Sequence, residues 1–101
     1  MPYVATYDLD GPARAEFDAA PGALLLEFGA GWCGHCRAVQ PAIAAALAAH
    51  PLIGHRKIED GPGRRLGRSY RIKLWPTLVF LKDGREVARL VRPLAQADVE
   101  A

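Results

Sequence analysis

At 101 residues, half of them hydrophobic, the chain is sized for one domain spanning 1–101, with a core of its own and no need of disulfide staples. A net charge of +2, with both signs mixed along the sequence, argues against a dedicated nucleic-acid binder, whose phosphate contacts require a clear positive excess. No apolar run approaches the ~20 residues that cross a bilayer, so no membrane partner is expected.

The first residues, Met1-Pro2-Tyr3-Val4-Ala5-Thr6-Tyr7-Asp8, lack a basic start followed by an apolar stretch. No signal peptide is read there, and a cytoplasmic, reducing location is expected. Tyr3 to Tyr7 is short, alternating and β-prone, which predicts a first strand. Asp10-Gly11-Pro12 reads as a helix start and Ala13 to Ala20 as the helix, with Phe17 on its inner face and Pro21-Gly22 as its stop. Ala23-Leu24-Leu25-Leu26-Glu27-Phe28 is an apolar run with a single acid, the pattern of a strand buried on both faces.

Gly29-Ala30-Gly31 is a hinge that delivers Trp32-Cys33-Gly34-His35-Cys36-Arg37, the stretch holding both cysteines. Two thiols at this spacing can close a small disulfide ring or hold part of a metal site. From Gly34 to Ala49 the residues are helix formers, with Val39, Ile43, Ala46, Leu47 and His50 at helical spacing. Pro41 removes one backbone hydrogen bond from this helix and predicts a kink, and Pro51 ends it.

A third strand is read around His55-Arg56-Lys57-Ile58-Glu59, where alternation is weak. After the Gly61-Pro62-Gly63 turn, Arg64 to Arg71 reads as a short basic helix anchored by Leu66, Tyr70 and Ile72, its cations on a solvated face. Leu74-Trp75-Pro76-Thr77 leads into an apolar strand, Leu78 to Leu81. Lys82-Asp83-Gly84-Arg85 then signals a two-residue hairpin turn into Glu86–Val91. Pro93 breaks that strand, and a last helix is read from Ala95 to Ala101. The order β-α-β-α-β-α-β-β-α implies parallel pairing through helical crossovers with an antiparallel pair at the end.

Four separated features together resemble the thioredoxin family across essentially the whole chain. They are Trp32-Cys33-Gly34-His35-Cys36 at a strand-to-helix junction, Glu27 in the strand before it, Pro41 five residues after the second cysteine, and Ile72-Lys73-Leu74-Trp75-Pro76-Thr77 ahead of an apolar strand and an Asp-Gly hairpin. The resemblance implies an α/β thioredoxin fold, a single domain with a central mixed sheet flanked by helices. It also implies that Pro76 is a cis-proline beside the cysteines, although cis is only ~5% of X-Pro bonds in general. The sequence departs from the family around the groove. Gly-His between the cysteines and a buried Glu27 resemble protein disulfide isomerases. Gly29 stands where many members carry a large aromatic, Trp75 replaces a small aliphatic residue, Arg92-Pro93 replaces a Gly-Ala pair, and the last helix is short.

The chemistry implied is that of a protein disulfide oxidoreductase. The thiolate is the nucleophile in disulfide exchange. Cys33, at the start of the helix, would have its anion stabilised by free N–H groups and the helix dipole and would attack. Cys36, one turn inside and more buried, would resolve the mixed disulfide. Glu27 would take the Cys36 proton, its pKa raised by the apolar strand; the alternative is a solvated acid at a strand edge. Gly34 and His35 tune the redox balance, with His35 predicting a potential above that of typical thioredoxin. Trp32, Trp75, Pro76 and Thr77 would bind substrate, with Trp75 also suited to filling the space left by Gly29. No metal is expected: a zinc site needs four ligands, His35 is poorly placed, and His50 and His55 read as surface or capping residues. The redox-active Cys33–Cys36 disulfide replaces any cofactor. Partners would be protein disulfides and a reductase or thiol electron donor, and the chain is expected to be a monomer. The competing reading is a non-catalytic protein of this fold, an assembly chaperone or adaptor, whose altered groove binds a partner without turnover.

Overall fold

In chain order the elements are α1 (Arg14–Asp18), β1 (Ala23–Gly29), α2 (Gly34–Ala49), β2 (Gly54–Glu59), α3 (Arg65–Ser69), β3 (Thr77–Lys82) and β4 (Arg85–Val91). The structure is a computed structural model that describes residues 3–9 and 12–92. The expected helix start at Asp10 and Gly11, the break at Pro93 and the helix from Ala95 to Ala101 lie outside the described residues.

The four strands form one mixed sheet in the order β2-β1-β3-β4. β1 is central, parallel to β2 and antiparallel to β3. Side chains alternate across β1, so its two faces feed two cores. Leu25 packs with Val39, Ile43, Ala46 and Leu47 of α2 and with Leu78. Leu26 and Phe28 point the other way, to Phe17 of α1 and to Leu66 and Tyr70 at α3, with Ile58, Val79 and Leu81. Phe17, Leu66 and Tyr70 thus take the inner positions read from the sequence, and Ile72 packs at the margin.

Two expectations are corrected. β3 runs antiparallel to β1 and β2 rather than parallel to them. A parallel crossover must carry the chain back along the sheet, and a six-residue strand is roughly 20 Å long. The connection is spent on the five-residue α3, which rises only about 7.5 Å, and on the turns beside it; β3 begins level with the end of β2 and runs back. Second, Tyr3 to Tyr7 forms no strand. This segment meets β2 in a single parallel bridge between Asp8 and Ile58, through Asp8 N–H to the Lys57 carbonyl at 2.6 Å and Glu59 N–H to the Asp8 carbonyl at 3.1 Å. The Tyr3 hydroxyl, Val4 N–H and Ala5 carbonyl go to side chains of β2 and α2, as described below.

β3 and β4 join through Asp83 (φ 50°) and Gly84 (φ 83°), two positive-φ residues as a two-residue hairpin of this handedness requires. Gly84 lies so close to α1 that a Cβ there would sit 2.0 Å from the Asp18 carbonyl oxygen. Asp83 ties the turn to the start of β1, accepting from Gly22 N–H through Oδ1 at 2.7 Å and donating its own N–H to the Gly22 carbonyl at 3.0 Å.

Candidate active site

Cys33 is the N-cap residue of α2, and its sulfur accepts the Cys36 N–H at 3.3 Å. A sixteen-residue helix presents its positive end and unpaired N–H groups at that sulfur, an arrangement that stabilises negative charge there. Cys33 retains 8% exposure and Cys36 has none, so only the first can meet an incoming disulfide. Both thiols are free. Burial pushes the Cys36 thiol up to about 12, assisted by its hydrogen bond to Cys33. The Ala30 backbone and the Tyr7 hydroxyl, both close to the Cys36 sulfur, act in the opposite sense.

Glu27 is fully buried on the α2 face of β1, which excludes the solvated-edge alternative. The carboxylate is not left alone. Gln40 Nε2 donates to Oε2 at 2.7 Å and His55 Nε2 lies 2.9 Å from Oε1. Val4 N–H donates to His55 Nδ1 at 2.9 Å, which places the ring proton on Nε2, facing Glu27. Gln40 Nε2 also donates to the Cys36 carbonyl at 2.7 Å, so one amide ties the acid to the backbone of the second cysteine. Lys57 Nζ completes the set, donating to Gln40 Oε1 at 2.8 Å and to the Ala5 carbonyl at 3.1 Å. Burial lowers the Lys57 pKa, against the opposing pull of Glu27. Tyr3 donates its hydroxyl to Gln40 Oε1 and stacks on His55. An open cavity of about 340 Å³, lined by Tyr3, Tyr7, Gly31, Arg37, Gln40 and Lys57 among others, reaches this network from outside.

The sequence reading singled out Glu27 but missed Gln40, His55, Lys57 and Tyr7. His55 corrects an expectation: it is buried, with 4% exposure, rather than a surface or capping residue. A signal was present. A lone acid in an apolar strand demands donors. Gln40 stands one helical turn beyond Cys36, and His55 and Lys57 stand two apart on β2, hence on one face. The alternation of that strand looked weak because its inward residues are polar. His50, by contrast, is the exposed C-cap of α2.

On the outer side the Trp75–Pro76 bond is cis. Trp75 packs against Ala30, Cys33 and Cys36 and meets the 74%-exposed Trp32 edge-to-face, with ring centroids 5.5 Å apart. Its Nε1 donates to Asp60 Oδ2 at 2.9 Å. Trp75 does not fill the space at Gly29; Cys36 Sγ and the Tyr7 hydroxyl do, standing 2.5 and 3.1 Å from where a Cβ would be. Arg92 Nε donates to the Trp75 carbonyl at 2.9 Å, and Arg92 N–H to the Pro76 carbonyl at 2.7 Å. Thr77 is buried and its hydroxyl donates to the Leu74 carbonyl at 2.6 Å, so it shapes the bend before Pro76 from within. Gly34 and His35 are exposed in the first turn of α2, and a Cβ at Gly34 would meet nothing within 4 Å. Among the described residues, no group of three or more His, Cys, Asp or Glu side chains is placed to hold a metal ion.

A family model described as Thioredoxin matches residues 14–101. The thioredoxin of Chlamydia trachomatis serovar D is 36% identical over 72 residues, 71% of this chain and 71% of that protein. Protein disulfide-isomerase A2 of Homo sapiens is 42% identical over 66 residues, 61% of this chain but only 13% of that much longer protein. Among solved structures, thioredoxin 2 from Pseudomonas aeruginosa PAO1 in its reduced form matches with a TM-score of 0.85 at 56% identity, over 95% of this chain and 89% of that one.

Proposed function

The chain belongs to the thioredoxin family and is a thiol–disulfide oxidoreductase, and we propose that it works on other proteins' disulfides through a Cys33/Cys36 dithiol–disulfide cycle. The observation that carries the assignment of roles is the asymmetry of the two thiols: Cys33 caps α2 and is partly exposed, while Cys36 is sealed beneath it. Cys33 Sγ attacks one sulfur of the substrate disulfide, forming a mixed disulfide and releasing the first substrate thiolate. Cys36 then loses its proton and attacks Cys33 Sγ. The Cys33–Cys36 bond forms, the bond to substrate breaks, and the second substrate thiolate leaves. Two electrons have passed to the substrate, and an external reductase or thiol donor returns the chain to the dithiol.

Glu27 is the proton acceptor for Cys36 in this scheme. The two groups share no hydrogen bond, so the proton crosses through water entering from the cavity lined by Gln40, Lys57 and Tyr7. Gln40 and His55 hold the carboxylate in place by their hydrogen bonds, and Lys57 holds Gln40 in turn. Trp32 and Trp75 form the substrate-facing wall, and the open space over Gly34 leaves room for the approaching disulfide. Pro76 and Thr77 build the bend that presents Trp75. His35, exposed between the cysteines, shifts the balance toward the dithiol as in an isomerase-type Cys-Gly-His-Cys motif. The reduction potential is expected to lie above thioredoxin's roughly −270 mV and toward the isomerase's roughly −180 mV. A cytoplasmic, monomeric oxidoreductase with no bound cofactor fits these properties.

The test is reduction of insulin disulfides by wild type and by Cys33→Ser with a small thiol as electron source. Turnover by wild type and none by the variant is expected. No turnover by wild type would favour the adaptor reading instead, for which the occupied Trp75 carbonyl in the groove is the supporting observation.

A further inference from the structure

The Tyr7 hydroxyl is buried with no nitrogen or oxygen partner, and an unpaired buried hydroxyl is costly. Its surroundings are specific. β1 ends on Gly29, and the space a Cβ would take there is shared by Cys36 Sγ and the Tyr7 hydroxyl. Any side chain at position 29 would displace one of them. Tyr7 itself comes from the segment that fails to form a strand and runs beside β2, where the Lys57 ammonium lies 4.6 Å from its ring centroid.

We infer that Tyr7 is the hydrogen-bond donor that stabilises the Cys36 thiolate during release of substrate, a role that rests on the exchange cycle proposed above. In the resting dithiol the Cys36 hydrogen bond is to Cys33. Once Cys33 is bonded to substrate its sulfur carries no charge to accept that proton. The proton then goes to Glu27 through water, and the new Cys36 anion has two donors beside it, the Ala30 backbone and the Tyr7 hydroxyl. Tyr7 keeps its own proton: burial, Glu27 and the cysteines all raise its pKa. The titratable groups around Cys36 are therefore Cys33 on its own helix, Tyr7 from the N-terminal segment, and Glu27 and Lys57 from β1 and β2. A hydrogen bond to a developing charge is about twice as strong as one between neutral groups, so the hydroxyl contributes more to the attacking anion than to the resting thiol.

The experiment uses an aromatic disulfide reagent that releases a coloured thiolate at each of two steps. The first release reports attack by Cys33 and the second reports resolution by Cys36. Tyr7→Phe is expected to leave the first phase unchanged and slow the second about tenfold. In a Cys33→Ser background, Tyr7→Phe is expected to raise the Cys36 titration midpoint, read by thiolate absorbance, by about one unit, the same tenfold factor. Thermal stability should stay level or rise, because the hydroxyl removed is unpaired in the resting protein. An unchanged second phase, or an unmoved Cys36 midpoint, overturns the proposal. So does a slowed second phase with a fall in thermal stability, which would make Tyr7 a packing residue. If wild type itself shows no second phase, the exchange cycle fails; if wild type shows both and only the variant is unaffected, Tyr7 alone fails.

Discussion

Glu27 sits in a strand of leucines with both carboxylate oxygens held by N–H donors, and that pairing decides what its loss would do. Removing the acid leaves one Gln40 N–H and the buried His55 Nε2–H without their acceptor, at a cost of about 1–3 kcal/mol. Glu27→Ala is therefore expected to be less stable than wild type in urea by that amount. It is also expected to slow mixed-disulfide resolution about a hundredfold, the low end of what a positioned proton acceptor supplies. Cys36 gives a second prediction. With its pKa pushed up to about 12, the native protein at neutral pH should take up one equivalent of alkylating reagent, at Cys33, and the second only after unfolding. The sign for stability follows from the same shift. The unfolded thiol ionises near its ordinary value of 9.0 and the folded one near 12, so the dithiol loses stability as pH rises between them. Urea titrations should show that fall in the reduced protein and not in the oxidised one, which has no thiol to ionise. Glu27 and the cysteines were legible in the sequence because each breaks a local pattern. Gln40, His55 and Lys57 were not, because the contacts that define them join α2 to β2 across the sheet, and nothing local to either element announces that meeting.

At the level of elements, the approach of β1 to α2 is set by Gly29. A Cβ there would lie 2.5 Å from Cys36 Sγ, too close for either to stay in place. Gly29→Ala is expected to destabilise the protein by about 1–3 kcal/mol, measured by thermal or urea unfolding, and to depress turnover with it. The β3–β4 turn makes a comparable demand, since Gly84 combines a φ of 83° with contact against the Asp18 carbonyl. Elements whose signals are internal were readable: α2 from its apolar period, β1 from its unbroken apolar run, the hairpin from Asp83-Gly84. Elements defined by what they meet were not. Tyr3 to Tyr7 alternates like a strand, yet Val4 N–H and the Ala5 carbonyl are taken by His55 and Lys57, which leaves no ladder to form. The direction of β3 depended on how far α3 and its flanks could carry the chain, and the sequence shows only that a short helix intervenes.

For the molecule as a whole, the outer surface of the site is closed by its own side chains. Arg92 holds the Trp75 carbonyl, and Trp75 is pinned by Asp60 and capped by Trp32. The groove is thus a fixed aromatic wall whose backbone acceptor is already engaged. Arg92→Gly frees that acceptor for an extended peptide, and the expected outcome is a several-fold lower KM for protein disulfides with little change toward small aromatic disulfides. Equal KM values for both classes would show that Arg92 does not restrict the groove. The central claim concerns the two sulfurs and is tested most directly by trapping. Cys36→Ser, mixed with oxidised insulin, is expected to accumulate a reductant-sensitive adduct whose only link is Cys33, while Cys33→Ser yields none. An adduct formed through Cys36, or no adduct from either variant, would contradict the division of roles between attacking and resolving thiols.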